Sequence, residues 1–416
     1  MARSKIIKEL ILLFSILLYF IYGNYLLIIL LTSIFTYFLG KVISKNKNYF
    51  LVVITYLIIL LPLIFFKYIV NIANLNILKP LGISYYTLSL VSYISDMYHN
   101  KYDNCDNMTN FLLFSMYFPC LFIGPINRYN DFSKSMEKIS IKKENIYPSL
   151  LRIGIGLIKK IIIANHLSII INTISSDINY MGVYVLFSLF IYSMMLYNDF
   201  SGGIDIVLGL SKLFNLDLPE NFHYPFKSQS IKEFWRRWHI SLGNFLKDYV
   251  YIPLGGNRVG KIKNKINVIV TFLLSGLWHG IDYLLWGLFN GILVILDIKT
   301  KNKYLNYFLV FVFISLLWIF FIYNDTFLSI KMFITIFTKF SISDFNILNL
   351  GLNIGDYLIV IFFLIIAILY ENNNFLRNNK NIYQKIIIIL FIIFSVLLFG
   401  RYGITVNTNN FIYGGF

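Results

Sequence analysis

Charged residues are scarce in this 416-residue chain: aspartate, glutamate, lysine and arginine together make up 13% of it. Soluble domains carry charge on about a quarter of their residues, so this composition excludes an ordinary soluble protein. Apolar residues account for 58% of the chain and aromatic residues for 18%. A chain of this composition has to place much of its surface in lipid rather than in water.

Cysteine is also scarce, with only Cys105 and Cys120 in the chain. Two cysteines without metal-ligand spacing indicate neither a disulfide framework nor a zinc site, so we predict no metal site. No Pro/Ser-rich linker or long soluble insertion divides the chain. We therefore predict one membrane domain over residues 1–416. Its parts are N-terminal helices at 1–75, a core rich in polar motifs at 76–295, and C-terminal helices at 296–416.

Long apolar runs recur from one end of the chain to the other. Several approach the roughly 20 residues that cross a hydrocarbon core, and backbone groups in lipid have to be satisfied within their own segment. The predicted fold class is therefore an all-α polytopic membrane protein, with about ten to twelve transmembrane helices plus re-entrant or interfacial helices. The first run follows a basic start without a small-residue cleavage site, which predicts a retained helix rather than a signal peptide.

The net charge of +16 comes from lysines and arginines gathered in short connections between the apolar runs. Under the positive-inside rule such connections face the cytoplasm, which predicts a multi-pass protein of the plasma membrane. Nucleic-acid binding would need a soluble basic face, and the sequence offers none, so we predict no nucleic-acid partner. A further interpretation stays open, in which one cytoplasmic basic connection also holds an anionic cosubstrate.

Residues 232–258 carry more charge than a freely inserted helix tolerates, so we predict a re-entrant or interfacial helix there. Its apolar residues recur at helical spacing and predict one helix face before the break at Pro253 and the following glycines: Phe234, Trp238, Leu242 and Phe245. Arg236 and Arg237 could merely extend to the interface as snorkelling side chains. The functional alternative is a cytoplasm-facing entrance where they meet the phosphates of a nucleotide-linked donor.

His279 lies within an apolar segment at residues 271–291, beside Trp278 and between Gly276 and Gly280. A buried histidine in a soluble core is most often structural. In a membrane segment the balance shifts, because an imidazole can accept a hydroxyl proton near neutral pH. The glycines would let a substrate or a neighbouring backbone come close. A structural and a catalytic histidine both remain open from these residues alone.

Asn198 and Asp199 lie in another polar stretch, residues 196–210, which also contains a pair of glycines. We expect Asp199 to orient a histidine or to pair with Arg236 or Arg237. An intramembrane aspartate beside glycines is also typical of an ion site in a transporter, so that alternative stays open.

Prolines interrupt two further apolar segments, at residues 79–100 and 117–132. Broken helices at membrane depth usually line a cavity. Ser84 and Tyr85 would supply hydroxyl groups to such a lining, and ordinary packing explains the tyrosine equally well.

Together these segments resemble the membrane-bound O-acyltransferase family. RRWHIS at 236–241, DYVYIPLGGNR at 248–258 and GLWHG at 276–280 follow in the family's order and spacing. LGISYYT, GPINR and DFSGGIDI are similar to other recurring segments of the family, and the resemblance is closest over residues 75–295. It implies a ring of helices around a central funnel or tunnel, with a histidine at the constriction.

By this resemblance His279 takes the place of the catalytic histidine, and His239 that of a second histidine in the bacterial polysaccharide branch. The residues expected to bind the donor or to support the site are Arg236, Arg237, Trp238, Asn198, Asp199, Asn257, Arg258 and Trp278. The resemblance implies an acyltransferase without a bound cofactor that uses acetyl-CoA as acyl donor for O-acetylation of an extracellular or cell-wall polysaccharide. The implied partners are an extracytoplasmic SGNH (serine-hydrolase-like) acyltransferase, a polysaccharide synthase complex and membrane lipid.

Two alternatives to this function remain. D-alanyl transfer to teichoic acid is chemically close, although the YIPLGGNR stretch is more similar to the acetylation branch. A small-solute transporter is the alternative from another class, and transport without ester formation would identify it.

The chain ends in FIYGGF, in which Phe411, Tyr413 and Phe416 form an F-x-Y-x-x-F pattern. In the alanylation branch a similar ending lies on a separate small peptide, whose tyrosine is proposed to carry the acyl group. The resemblance therefore implies Tyr413 as an acyl relay, because a phenol forms an activated ester. An ordinary aromatic tail at the membrane interface is the alternative.

Overall fold

A computed structural model of the chain describes residues 2–22, 25–73, 75, 77, 80, 82–101, 107–343, 345–372 and 381–402. Within these ranges the regular structure is helical, apart from one isolated antiparallel bridge between Phe222 and Trp238. Seven of the described helices are long and apolar enough to cross a membrane, and shorter apolar helices at Ile281–Leu296 and Thr326–Thr338 accompany them. The predicted all-α polytopic class is confirmed.

The first eight helices pack around an apolar core of their own, in which Ile29, Tyr93 and Phe111 are fully buried. Proline at position 62 and a π-helical stretch at Phe65–Ile69 interrupt the third helix near its end. These helices are α1 Ala2–Tyr22, α2 Leu26–Asn46, α3 Tyr49–Ile64, α4 Val70–Ile72, α5 Ile83–Tyr98, α6 Met108–Met116, α7 Cys120–Ile123 and α8 Tyr129–Glu137.

The remaining helices surround a second, larger core that also takes in side chains from α5 and α7. Within it α9 and α11 form the most extensive helix pair, and α14 folds back on α15. These helices are α9 Lys143–Leu157, α10 Asn165–Ser176, α11 Val183–Leu213, α12 Ile231–Arg237, α13 Ile240–Leu246, α14 Lys261–His279, α15 Leu284–Leu296, α16 Lys303–Leu317, α17 Ile319–Tyr323, α18 Thr326–Thr338, α19 Ile354–Asn372 and α20 Ile382–Phe399. π-Helical stretches follow α9 at Ile158–Ala164 and α13 at Lys247–Tyr251.

Hydrogen bonds tie several helix ends together on one side of the bundle. The Lys47 ammonium donates to two carbonyls at the end of α5, at 2.7 and 3.0 Å. Near the same end of α5, Asp96 accepts a hydrogen bond of 2.7 Å from the Tyr249 hydroxyl. Tyr251 in turn donates to Asn264 near the start of α14, at 2.6 Å. We call this side the basic face, because α2 ends and α14 begins there among lysines, and the positive-inside rule predicts that it is cytoplasmic.

Tyr249 also meets a cation at the basic face. The Arg128 guanidinium lies 4.2 Å from the centre of its ring and donates to Asp248 at 3.1 Å. Burial raises the pKa of Tyr249, and the guanidinium lowers it by a smaller amount. The phenol therefore keeps its proton and serves as the hydrogen-bond donor that joins the stretch after α13 to α5.

Ion pairs inside the bundle join α9, α11 and α19. Lys159 is 3% exposed and contacts Asp205 at 3.1 Å and Glu371 at 2.6 Å. Arg152 contacts the same aspartate at 3.0 Å and binds Glu220 through two hydrogen bonds of 2.7 and 2.8 Å. Charges within membrane helices persist where they satisfy one another, so this network adds polar links among three helices that also pack through apolar contacts.

Candidate active site

A cavity of about 1100 Å³ lies among α12, α13, α14 and α15, and Trp318, between α16 and α17, forms part of its wall. Its charged lining residues are Lys232, Arg236, Lys247, Lys261, Lys265 and Asp297. Its buried lining residues include Trp238, His239, His279, Trp286 and Trp318. We call it the basic cavity, since five of those six charged groups are cations. It leads from the basic face to two histidines inside the bundle.

His279 is the last residue of α14 and is 4% exposed. The next residue, Gly280, has a φ of 152°, in a region that favours glycine, and it ends the helix. One turn earlier, a Cβ at Gly276 would collide with the carbonyl oxygen of Tyr283, so only glycine allows the two segments this approach. The Trp286 ring lies against the imidazole, with 5.4 Å between the ring centres. The glycines thus allow the turn that holds His279 against α15.

His239 lies between the two seven-residue helices α12 and α13, with φ and ψ of 47° and 53°. Trp238 before it is extended and forms the bridge with Phe222. The Asn221 side chain accepts a hydrogen bond of 3.0 Å from the backbone N–H of Ser241, in the first turn of α13. The left-handed backbone conformation of His239 is uncommon for a residue other than glycine, and it turns the chain into the bundle at the histidine.

The predicted continuous helix face in this segment is wrong, because the helix breaks between Arg237 and Ile240 rather than first at Pro253. The bridge at Trp238 and the two hydrogen bonds that Asn221 accepts from the backbone N–H groups of Ile240 and Ser241 satisfy the backbone groups that the break releases. The four apolar residues on which the prediction rested are still buried, because both short helices pack on the same core: Phe234, Trp238, Leu242 and Phe245.

Trp278 contacts both histidines. Its ring centre lies 4.7 Å from that of His279 and 6.1 Å from that of His239. Tyr85 packs against the same tryptophan at 5.9 Å, and Phe200 packs against His239 at 4.8 Å. Four separate parts of the sequence therefore meet at one aromatic cluster, and two imidazoles are held within it.

This arrangement is suited to proton transfer at the buried end of a cavity. A neutral imidazole accepts a proton from a hydroxyl group placed within hydrogen-bond reach, and both His239 and His279 line the cavity. The aromatic rings around them exclude water, which strengthens electrostatic interactions inside the site. The cations farther out are suited to an anionic reactant.

Several residues predicted to bind the donor meet at the basic cavity, and others do not. Arg236 and Asn257 line it, as Trp238 does. Arg237 instead contacts Glu233 at 2.6 Å and is not among the lining residues. Arg258 is exposed and also lies outside the described lining. Adjacent arginines point in different directions because they lie about 100° apart on the last turn of α12.

The predicted pairing of Asp199 with a histidine or with an arginine of the 232–258 segment is wrong. Its carboxylate binds Lys160, which the π-helical stretch after α9 places against α11. The Asn198 amide donates to the Met194 carbonyl within the same helix, at 2.8 Å. Neither side chain is among the described residues that line the cavity. The segment reaches the site through its next residue, the phenylalanine that packs on His239.

Lys67 is a feature of the site that the sequence analysis missed. It is 6% exposed, and its Nζ lies 5.0 Å from the centre of the Trp278 ring. The available signal was a single charge at the end of the apolar run 50–66. Lys232 and Lys247 were missed as well, because nothing in their sequence separates them from other basic residues at an interface.

Tyr413 lies outside the described residues, as do Phe411 and Phe416, so the acyl relay stays a prediction. Over the described ranges, no three side chains of histidine, cysteine, aspartate or glutamate gather closely enough to hold a metal ion.

Comparison with known proteins matches the chain to one protein family. The family model MBOAT, membrane-bound O-acyltransferase family, matches residues 15–324. A protein of Pseudomonas aeruginosa named probable alginate O-acetylase AlgI is 33% identical over 304 residues, which are 69% of this chain and 58% of that protein. The peptidoglycan O-acetyltransferase of Helicobacter pylori is 32% identical over 290 residues, 60% of this chain and 55% of that protein.

A third relative carries a different name. The teichoic acid D-alanyltransferase of Bacillus subtilis is 33% identical over 240 residues, which are 53% of this chain and 59% of that protein. The chain spans about half the length of the relatives that it matches.

Proposed function

Because this chain belongs to the membrane-bound O-acyltransferase family, we propose that it is an acyltransferase that takes an acetyl group from a cytoplasmic thioester for O-acetylation of a cell-envelope polysaccharide. The observation that carries the proposal is the basic cavity that ends at His279. The printed names of two relatives, an alginate O-acetylase and a peptidoglycan O-acetyltransferase, support an acetyl group and a polysaccharide. In this proposal the protein acts in the plasma membrane.

In the proposed reaction His279 is the general base. Its imidazole takes the proton of the acceptor hydroxyl while the oxygen attacks the thioester carbonyl, and a tetrahedral oxyanion forms. The oxyanion collapses, the carbon–sulfur bond breaks, and the imidazolium returns the proton to the departing thiolate. Proton transfer of this kind contributes about 10²–10⁴-fold to a rate. His239, whose ring also packs against Trp278, positions the reacting groups.

The function is tested with purified protein in liposomes, supplied with acetyl-CoA and a soluble acceptor carrying a hydroxyl group. Release of free thiol together with an acetyl ester on the acceptor supports the proposal. Solute movement across the liposome membrane without ester formation contradicts it and favours a transporter.

Acetyl-CoA carries phosphate groups, and we assign them to the cations of the basic cavity. Lys261 and Lys265 lie one turn apart at the start of α14, and both line the cavity. Reversing both charges, Lys261→Glu with Lys265→Glu, is expected to raise the KM for acetyl-CoA roughly tenfold, with kcat little changed, because exposed charge pairs contribute modestly to binding. Initial rates at varied donor concentration measure this.

The matched control reverses two exposed lysines that lie off the cavity, Lys138→Glu with Lys143→Glu. Both double variants change the net charge equally, so a general field effect would raise KM in both. An unchanged KM in the cavity variant would reject phosphate binding there. The KM difference between the variants should shrink as salt is added, because exposed charges are screened.

The first acceptor in this proposal is Tyr413, which would present the acyl group on the outer side. Tyr413→Phe removes the hydroxyl that forms the ester and is expected to abolish acetyl esters on the polymer in cells. Phe411→Leu, which keeps the hydroxyl, is the control. Polymer acetylation at the normal level in Tyr413→Phe cells would refute the relay and leave direct transfer to another acceptor.

Partners follow from the same proposal. A serine-hydrolase-like acyltransferase outside the membrane would take the acyl group onward, and a polysaccharide synthase complex would supply the polymer. Co-purification of such an enzyme with the tagged full chain tests the first of these partners.

D-alanyl transfer is the second candidate function, because one relative is named a teichoic acid D-alanyltransferase. The two candidates differ in the acid that the polymer ester carries. Mild alkaline hydrolysis of the cell-envelope polymers, followed by identification of acetate or alanine as the released acid that is lost in a deletion strain, separates them.

A further inference from the structure

Lys67 lies far inside the bundle. Helix α3 begins at the basic face with Tyr49, and the π-helical stretch that continues it places Lys67 eighteen residues, or about 27 Å, from that start. His279 stands eighteen residues along α14, which begins at the same face with Lys261. The two side chains are therefore at a similar depth. Lys67 lies near the far end of the candidate membrane span Tyr49–Ile69 and is only 6% exposed, and a charge buried among membrane helices in this way is commonly functional.

The helix around Lys67 is shaped to face the histidine cluster. Lys67 is the middle residue of the π-helical stretch Phe65–Ile69, and such stretches occur frequently at functional sites. The adjacent Tyr68 hydroxyl donates to the carbonyl of Leu277, in the last turn of α14. This bond fixes the position of Lys67 relative to α14.

The contacts of the Lys67 ammonium place it beside the catalytic cluster. It donates to the Ser84 hydroxyl at 3.5 Å and lies 5.0 Å from the centre of the Trp278 ring. Since His279 stands 4.7 Å from the same ring, the ammonium and the imidazole are within about 10 Å of each other. They are close enough to interact electrostatically. Neither Lys67 nor Ser84 is among the described residues lining the basic cavity.

We infer that Lys67 is a further catalytic residue, whose ammonium beside Trp278 stabilises the tetrahedral oxyanion. The inference rests on the proposed acyl transfer. Negative charge appears on the carbonyl oxygen when the acceptor attacks, and it disappears when the carbon–sulfur bond breaks. Lys67 takes no part in the proton transfer, and the proton of the acceptor travels through His279 alone. A fixed cation aimed at developing charge is effective in a site from which water is excluded.

The test replaces the ammonium without changing the length of the side chain. Lys67→Met is expected to lower kcat for acetyl transfer about 100-fold or more, in the range found when a donor to an oxyanion is removed. The KM for acetyl-CoA is expected to stay within about twofold, because Lys67 lies outside the basic cavity. Lys67→Arg keeps a cation and is expected to recover part of the lost kcat. Initial rates of thiol release by purified protein give both constants.

The control is Lys41→Met, which removes another lysine that lies over an aromatic ring, 4.4 Å from Tyr37 near the end of α2. Its kcat should match the wild type. Methionine removes a buried charge at similar volume, so Lys67→Met should fold, which size-exclusion profiles and thermal midpoints verify. Two results would overturn the role of Lys67 and leave the proposed function standing. One is a normal kcat in Lys67→Met, and the other is an equal loss of kcat in Lys67→Met and Lys67→Arg when both have normal thermal midpoints. Absence of thiol release by the wild type overturns the proposed function and this inference with it.

Discussion

Replacing His279 with glutamine is expected to lower kcat for acyl transfer by about 10²–10⁴-fold. Glutamine is polar and of similar size, but it cannot accept a proton from the acceptor and return it to the leaving thiol. The imidazole lies at the buried end of the basic cavity, whereas the cations lie farther out. The KM for acetyl-CoA should therefore change little. Thiol release by purified protein measures both constants, and polymer esters report the same loss in cells.

The control for this variant is His99→Gln, which changes an exposed histidine at the end of α5. It should leave kcat at the wild-type value. If His279→Gln cells with normal protein levels retained full polymer acetylation, His279 would have no part in the chemistry. A higher KM for acetyl-CoA with an unchanged kcat would instead assign the histidine to donor recognition.

Replacing Asp205 with asparagine is expected to destabilise the protein by about 3 kcal/mol, because removing one partner of a buried ion pair leaves the other charges uncompensated. Asp205 contacts both Lys159 and Arg152, and Lys159 is 3% exposed. Asparagine keeps the size of the side chain, so the effect is one of charge rather than of volume. Denaturant-induced unfolding of purified protein in detergent measures the free energy, and a lower thermal midpoint should accompany it.

Asp217→Asn provides the matched comparison, since this aspartate pairs with Lys212 at 3.0 Å but its side chain is 74% exposed. An exposed pair contributes about 0–1 kcal/mol, so this variant should stay close to the wild type. Equal stability of the two variants would mean that the buried network does not hold the helices together.

The class of fold and the position of His279 were accessible from the sequence for physical reasons. Backbone groups in lipid have to be satisfied within their own segment, so low charge and long apolar runs already indicate an all-α membrane protein. A histidine beside tryptophan and glycine in such a run is unusual enough to be noticed. His239 was accessible too, although only the structure shows that Trp278 brings the two histidines together.

Other features depend on contacts between distant segments and could not be predicted. The helix break before His239 depends on Asn221 and Phe222, which lie outside the segment whose spacing predicted a continuous helix. Asp199 was expected to meet a histidine or an arginine, but Lys160 from a packed neighbour reaches it instead. Lys67 is ordinary in its own sequence context and becomes informative only when Trp278 is seen beneath its ammonium.

The length of α14 has a consequence for which donors the site accepts. Lys261 and His279 mark its two ends, about 27 Å apart, and both line the basic cavity. A donor whose charged head stays among the lysines can present its acyl group to the imidazole only through a long, thin, flexible arm. Compact activated acids such as acyl phosphates would bind to the lysines by their charge, and their acyl group would not reach His279. Under the proposed function, the length of α14 selects donors by the reach of their acyl arm and keeps their charged part at the basic face.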